Sequence, residues 1–387
     1  MAGRNHLFVP GPTNSPHAVL SAMHVPMEDH RSPIFPDLLK PILEDLKKIF
    51  RTETGQTFVF PATGTAGWEV ALTNLLNPGD KVLIYRFGQF GHLWADMARK
   101  LGFDVELHEI EWGKGIPLDH LEARLKQDAA HEIKAVLATH NETSTGVTSD
   151  IGGVRKALDA AKHPAQLYVD GVSSIASIEF RFDDWGVDAA VSGSQKGFML
   201  PAGAAILAFS QKALAIAETT TYPRAFFSLK DQINTNKDGY TPYTPSTPML
   251  HGLRKAIDLL LEEGLDNIHA RHHRLAEGVR RAVAVWGLKT CAQDGFHSDT
   301  VTAIVVPADK DARQVIGTAF HKYNLSLGAG LSEVAGKVFR IGHLGDLNEV
   351  SLLGALAGVE MALLDSGIDI KPGSGVGAAV EYYRNAL

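Results

Sequence analysis

The chain has 387 residues, 45% hydrophobic and 21% charged, a globular balance with length for two domains and no sign of disorder. A net charge of −7, with no Lys/Arg cluster interleaved with aromatics, disfavours a nucleic-acid partner, and no apolar run of about 18 residues suggests a membrane span. Cys291 is the only cysteine, which excludes an internal disulfide and a cysteine-rich metal site and fits a reducing compartment.

Residues 1–12 lack a charged segment followed by an apolar core, and the chain ends Asn385-Ala386-Leu387, so the expected location is the cytoplasm. A Pro/Gly-rich arm, Phe8-Val9-Pro10-Gly11-Pro12-Thr13, comes first. Residues 37–50 carry Leu38, Ile42, Leu46 and Ile49 at helical spacing. Residues 57–60 read as a strand and 65–76 as a helix, stopped by Asn77-Pro78-Gly79-Asp80. A strand at 81–85 precedes a helix at 90–101, closed by Gly102. Further strands fall at 105–110, 135–139 and 166–170, with helices near 118–125 and 154–161 between them. Strands at 187–191 and 204–209 continue the series. Such alternation predicts an α/β domain with a mainly parallel sheet.

The pattern changes near residue 219. Residues 219–248 are rich in Thr, Pro and aromatics, too long for an ordinary connection, and therefore expected at a site or an interface. A helical stretch over 248–286 is interrupted near Gly264. Beyond it, strands at 300–306 and 338–341 flank helices at 312–323 and 347–364, a smaller α+β domain. The expected division is an N-terminal arm 1–18, a large domain 19–260 and a small C-terminal domain 261–387.

Five strand ends carry candidate chemistry. Lys196 lies in Val191-Ser192-Gly193-Ser194-Gln195-Lys196-Gly197, between two apolar stretches. Burial there disfavours the ammonium form, and a neutral amine suits an imine with an aldehyde cofactor. A lysine snorkelling out of a loop is the alternative. Asp170 ends the strand 166–170, at the carboxyl edge where open α/β sheets bind ligands. A carboxylate there suits the protonated ring nitrogen of pyridoxal phosphate; capping the next helix is the alternative. Thr63-Gly64-Thr65-Ala66-Gly67-Trp68 follows a strand and opens a helix, so its free N–H groups suit a phosphate, although ordinary glycine turns look alike. Thr139-His140-Asn141-Glu142-Thr143-Ser144-Thr145-Gly146 gathers hydroxyls at another strand end, and Phe90 is a ring able to stack on a flat cofactor or to fill a core. The order phosphate cup, aromatic, hydroxyl cluster, aspartate, lysine is what lends these signals specificity.

With these residues the chain resembles the class V, fold-type I pyridoxal-phosphate aminotransferases, and within them the serine–glyoxylate and alanine–glyoxylate branch. The resemblance spans nearly the whole chain and is close in Glu263-Gly264-Leu265-Asp266-Asn267-Ile268 and Lys337-Val338-Phe339-Arg340-Ile341-Gly342-His343-Leu344-Gly345. It implies a large domain with a mainly parallel seven-stranded sheet, a smaller C-terminal α+β domain, and a homodimer with shared active sites. It implies Lys196 as the imine lysine, Asp170 at the pyridine nitrogen, Thr143 at the phenolic oxygen, and Phe90 and Val172 on the two ring faces. Gly64, Thr65 and Gln195 would hold the phosphate, completed by Thr244 and either Tyr240 or Tyr243 of a second subunit. Arg340 would take the substrate carboxylate, and Arg31 would stand near the substrate entrance. Phe90 departs from relatives that carry Trp at the stacking position.

The activity so implied is transamination of L-serine with glyoxylate, giving 3-hydroxypyruvate and glycine by ping-pong kinetics. Alanine as the main donor, or a lyase or desulfurase on the same fold, are the alternatives. His269 and His273 have metal-ligand spacing but no acidic third ligand in the pattern, and read as an exposed polar face. Lys289-Thr290-Cys291 reads as a strand of the small domain, not a mobile cysteine loop.

Overall fold

Seven strands make the larger sheet, in the order Gln56–Phe60, Ala205–Phe209, Ala189–Gly193, Gln166–Asp170, Ile133–Thr139, Lys81–Arg86, Asp104–Glu109. All neighbours run parallel except Ala205–Phe209, which is antiparallel to both of its partners. This is a computed structural model describing residues 5–386; the first four residues of the expected arm and Leu387 lie outside the described residues. The central strands are apolar on both faces because both faces are covered by helices. In Gln166–Asp170, Leu167 and Val169 enter one hydrophobic core while Tyr168 enters the other. Truncating one such side chain to alanine costs about 2–5 kcal/mol.

The helix Phe35–Phe50 starts earlier than its apolar spacing indicates, because Pro36 serves in its first turn. Its buried face is Leu39, Ile42, Leu46 and Ile49; Leu38 is only partly buried. Within residues 219–248, expected to be irregular, a helix spans Leu229–Asn236, capped by the Ser228 hydroxyl accepting from Asp231 N at 3.2 Å. The helices Thr247–Glu263 and Leu265–Val285 break at Gly264, whose φ of 82° is left-handed.

A second sheet of five strands is ordered His6–Phe8, Leu325–Ala329, Val338–Gly342, Val301–Val305, Lys289–Thr290. Its first strand comes from the N-terminal arm and pairs in parallel with Leu325–Ala329. From there the arm threads between the two sheets. Thr13 N donates to Gln195 O at 3.1 Å and its hydroxyl to Lys196 O at 3.1 Å. On the other side a β-carbon at Gly342 would lie 2.3 Å from Val9 O, so the arm tolerates only glycine there. Helices His17–Met23 and Ser374–Asn385 complete the chain. Among the described residues no helix is long and apolar enough to cross a membrane.

Candidate active site

Lys196 follows the strand Ala189–Gly193 and is buried. Burial, then the positive charge of Arg340, push its pKa down to about 8. Its Nζ donates to the carbonyl oxygen of Pro10. Gly11, at φ +119°, packs on the same side chain so closely that a β-carbon would sit 2.5 Å from Lys196 Cδ, Cε and Nζ.

Asp170 lies in the same cleft, close enough that it and Lys196 shift one another's pKa. Its Oδ1 accepts from Val172 N at 3.0 Å, a local turn rather than a helix cap. Burial above all, helped by the negative charge of Glu142, raises its pKa to about 7. No lysine or arginine forms an ion pair with it among the described residues. The indole N–H of Trp68 is buried without a partner of ordinary hydrogen-bond geometry, yet lies near enough to lower the Asp170 pKa somewhat.

The helix Gly64–Leu75 begins at Thr63 with no side-chain cap, leaving its first N–H groups free. A β-carbon at Gly193 would lie 3.0 Å from Gln195 Oε1 and 3.4 Å from Gly64 N, so these three residues meet at one point. Gln195 Oε1 is buried without a hydrogen-bond partner, and Thr65 is exposed beside it. Gly64 also lets Val172 approach; a β-carbon would be 2.5 Å from Val172 Cγ2. Val172 and Phe90 are both partly buried at the margin of the same hydrophobic core.

Thr143 is buried, and its hydroxyl donates to Ser173 Oγ at 2.7 Å. Its carbonyl accepts from Arg340 Nη1 at 2.9 Å, while Arg340 Nε donates to Ala329 O at 2.8 Å. Arg340 is buried, faces no carboxylate within ion-pair distance, and has its pKa lowered to about 10 by burial. Two carbonyls thus hold the guanidinium through Nε and Nη1, and among the described residues Nη2 meets no acceptor.

The structure does not bring the remaining expected residues to Lys196 within one chain. Arg31 is exposed, with only its backbone N–H held, by Asp29 Oδ1 at 2.9 Å. The Tyr240 hydroxyl donates to Ser32 O at 3.3 Å, whereas Tyr243 is exposed and stacked on Phe226, and Thr244 is exposed. His269 is partly buried rather than exposed, and His273 pairs with Asp299 at 2.9 Å. Cys291 is partly buried, its thiol pushed up to about 11. Sequence reading missed the roles of Pro10, Gly11, Thr13, Ser173 and Glu142. Only Glu142 carried a signal: a charged residue inside a run that otherwise reads as a strand end.

A buried lysine, a buried acid outside any ion pair, a glycine-lined helix start and a buried arginine held by two carbonyls form a set suited to amino-group chemistry in an α/β scaffold. The family model for aminotransferase class-V matches residues 6–339, and the chain belongs to that family. It is 58% identical to the serine–glyoxylate aminotransferase of Methylorubrum extorquens over 99% of this chain and 96% of that protein. It is 53% identical to the L-aspartate–glyoxylate aminotransferase of Paracoccus denitrificans over 99% of this chain and 97% of that protein. The crystal structure of ureidoglycine–glyoxylate aminotransferase from Bacillus subtilis superposes with a TM-score of 0.92 at 27% identity, covering 100% of this chain and 99% of that one.

Proposed function

We propose that this chain is a pyridoxal-phosphate-dependent transaminase that passes the amino group of L-serine to glyoxylate, giving 3-hydroxypyruvate and glycine. The observation that carries the reading is Arg340: a buried, carbonyl-clamped guanidinium without a carboxylate, its charge felt at Lys196. The 58% identity to a serine–glyoxylate relative supports the substrate pair.

The residues fit the cofactor. Free N–H groups at Gly64 and Thr65 would hold a phosphate, with Gln195 donating from its Nε2 once its amide turns Oε1 away. Phe90 and Val172 would close on the two faces of a flat ring, and Thr143 would turn its hydroxyl from Ser173 to the phenolic oxygen. When bound, pyridoxal phosphate supplies an aldehyde that captures an amino group and a ring that takes up the electron pair left at the α-carbon. Lys196 Nζ would hold that aldehyde and, once displaced by substrate, take the proton from the α-carbon; a pKa of about 8 keeps part of it neutral near pH 7. Asp170 would hold the proton on the ring nitrogen, trading an isolated buried carboxylate for a paired one. Arg340 would orient both amino acid and oxo acid by the same fork.

A homodimer completes the site in this reading. Tyr243 and Thr244 are exposed in the single chain and free to reach a second subunit's phosphate, and Arg31 would stand at that shared entrance. Met27 and Ile34, 83% and 69% exposed, supply apolar surface for a partner to cover. The cytoplasm is the compartment that the single unpaired cysteine, Cys291, supports.

A second reading keeps glyoxylate as acceptor with aspartate as donor, favoured by the 53% identical relative. Alanine is tested in the same assay. A desulfurase reading is disfavoured by Cys291, whose thiol is partly buried and hard to ionise. The deciding experiment follows the visible absorption of the purified protein on adding L-serine alone. One equivalent of hydroxypyruvate per site is expected, then glycine on adding glyoxylate, and no turnover from Lys196→Ala. A colourless protein that takes up no pyridoxal phosphate, or normal turnover in that variant, overturns the reading.

A further inference from the structure

Glu142 is a buried carboxylate that the reaction as described does not use. Its Oε2 accepts from Phe90 N at 3.0 Å and Gly91 N at 3.1 Å, in the first turn of the helix Gln89–Lys100. Its Oε1 accepts from Ser144 N at 3.0 Å and Ser144 Oγ at 2.6 Å. The Ser144 hydroxyl in turn accepts from Gln89 N at 2.9 Å, so this pair satisfies three successive N–H groups of a helix whose N-cap, Gly88, has no side chain to offer. Gly88 is where the carboxylate passes, since a β-carbon would lie 2.2 Å from Glu142 Cγ and 2.5 Å from Ser144 Oγ.

Three of the four groups facing this carboxylate are backbone N–H donors that cannot reverse, and they favour the ionised form against the burial that pushes its pKa up. Its neighbours tie it to the reacting groups. Phe90 is the expected stacking ring, and the adjacent Thr143 gives its carbonyl to Arg340. The charged groups that feel Glu142 from other elements are Asp170, Lys196 and Arg340.

We propose that Glu142 is a positioning residue of this site: its carboxylate seats the Phe90 ring and the Thr143 backbone that Arg340 grips, and supplies the buried negative charge that opposes Lys196 and Arg340. The role rests on the pyridoxal-phosphate reading above. It places an anion where two cations and an acid share one water-poor cleft, so the Lys196 ammonium is favoured by it and the Asp170 carboxylate is disfavoured.

The test is Glu142→Gln, which keeps size and removes charge, with Glu142→Asp as the conservative partner. Two readouts are taken: titration of stripped protein with pyridoxal phosphate, and the pH midpoint for reductive methylation of Lys196 in the cofactor-free protein, read by mass spectrometry. The expected result for E142Q is cofactor affinity weakened by roughly tenfold or more and a midpoint lowered by about one pH unit, with E142D returning the midpoint toward wild type. A folded E142Q with unchanged affinity and midpoint overturns the proposal. If E142Q does not fold, Ser144→Ala decides, since it removes one bond to the carboxylate, together with the acceptor of Gln89 N, and keeps the charge of Glu142. Weaker cofactor binding in S144A supports the role, and unaltered binding overturns it. Failure of the wild-type protein to bind pyridoxal phosphate at all would count against the functional reading instead, and the methylation midpoint would still judge Glu142.

Discussion

Arg340 Nη1 donates to Thr143 O at 2.9 Å, a bond that joins the smaller sheet to the loop at the carboxyl edge of the larger one. The guanidinium therefore reports on both halves of the molecule. Lysine cannot reproduce two carbonyl contacts and a fork together. Arg340→Lys is expected to lower kcat/KM by roughly 10²-fold for donor and for acceptor alike, because both carry the same carboxylate. The loss should fall mainly in KM. Steady-state kinetics with each substrate varied checks this; an effect on only one of them contradicts a shared carboxylate site.

Asp170 gives a prediction with opposite signs for activity and stability. Its folded pKa, about 7, lies above the usual carboxylate value, so between about pH 4 and 7 the folded state holds a proton the unfolded chain has released. Stability from this group is present at low pH and is lost as pH rises toward 7. Asp170→Asn removes that loss. The cofactor-free variant should melt higher than wild type at pH 8 and about equally at pH 4, while turnover drops by at least about 10²-fold. Thermal melts at the two pH values and a transaminase assay separate the two effects.

Much of the half that carries Lys196 and Asp170 was legible because its signals are local. A lysine between two apolar runs and an aspartate ending one need only strand periodicity to place them. The larger sheet was equally plain, since most of its strands are short apolar runs; the edge strand Asp104–Glu109 is the polar exception. What periodicity cannot reveal is pairing without a pattern. His6–Phe8 joins the smaller sheet as three residues, and Pro10 covers Lys196 through a backbone carbonyl, neither of which any side-chain spacing encodes. Leu325–Ala329 escaped for a similar reason, being a short strand with Gly328 inside it. Glu142 escaped because its partners are N–H groups 51 and 52 residues away in sequence. Arg31 and Thr244 are both exposed in the single chain, and only the proposed shared-site reading gives them a role.

The shared-site reading predicts complementation. Lys196→Ala supplies an intact 240–244 segment, and the double variant Tyr243→Ala/Thr244→Ala supplies an intact lysine. Mixed and reassociated in equal amounts, they form mixed dimers in which one of the two sites has every wild-type part. Activity should return to about a quarter of wild type, from near zero in either parent. No recovery, with mixed dimers verified by native mass spectrometry, would place both segments in one subunit's site.

Four histidines are buried with lowered pKa values, three of them strongly shifted. Burial pushes His140 and His272 down to about 3 and His343 to about 4. His272 shows why: its Nδ1 meets Ile268 O at 2.7 Å while Nε2 accepts from Gly345 N at 3.0 Å, so a second ring proton would face an N–H donor. With folded values below the usual 6.5, the unfolded chain takes up protons first as pH falls, and stability is lost from about pH 6.5 down to 4. Asp170 acts in the opposite direction with a shift of similar size to one histidine, so three histidines together outweigh it. Cofactor-free protein should therefore have a lower urea midpoint at pH 5 than at pH 7.5. His272→Leu should flatten that dependence while costing stability at neutral pH, because Gly345 N loses its acceptor. Since Gly345 follows the strand that carries Arg340, the same variant should raise KM for the amino donor while leaving the Lys196 methylation midpoint unchanged.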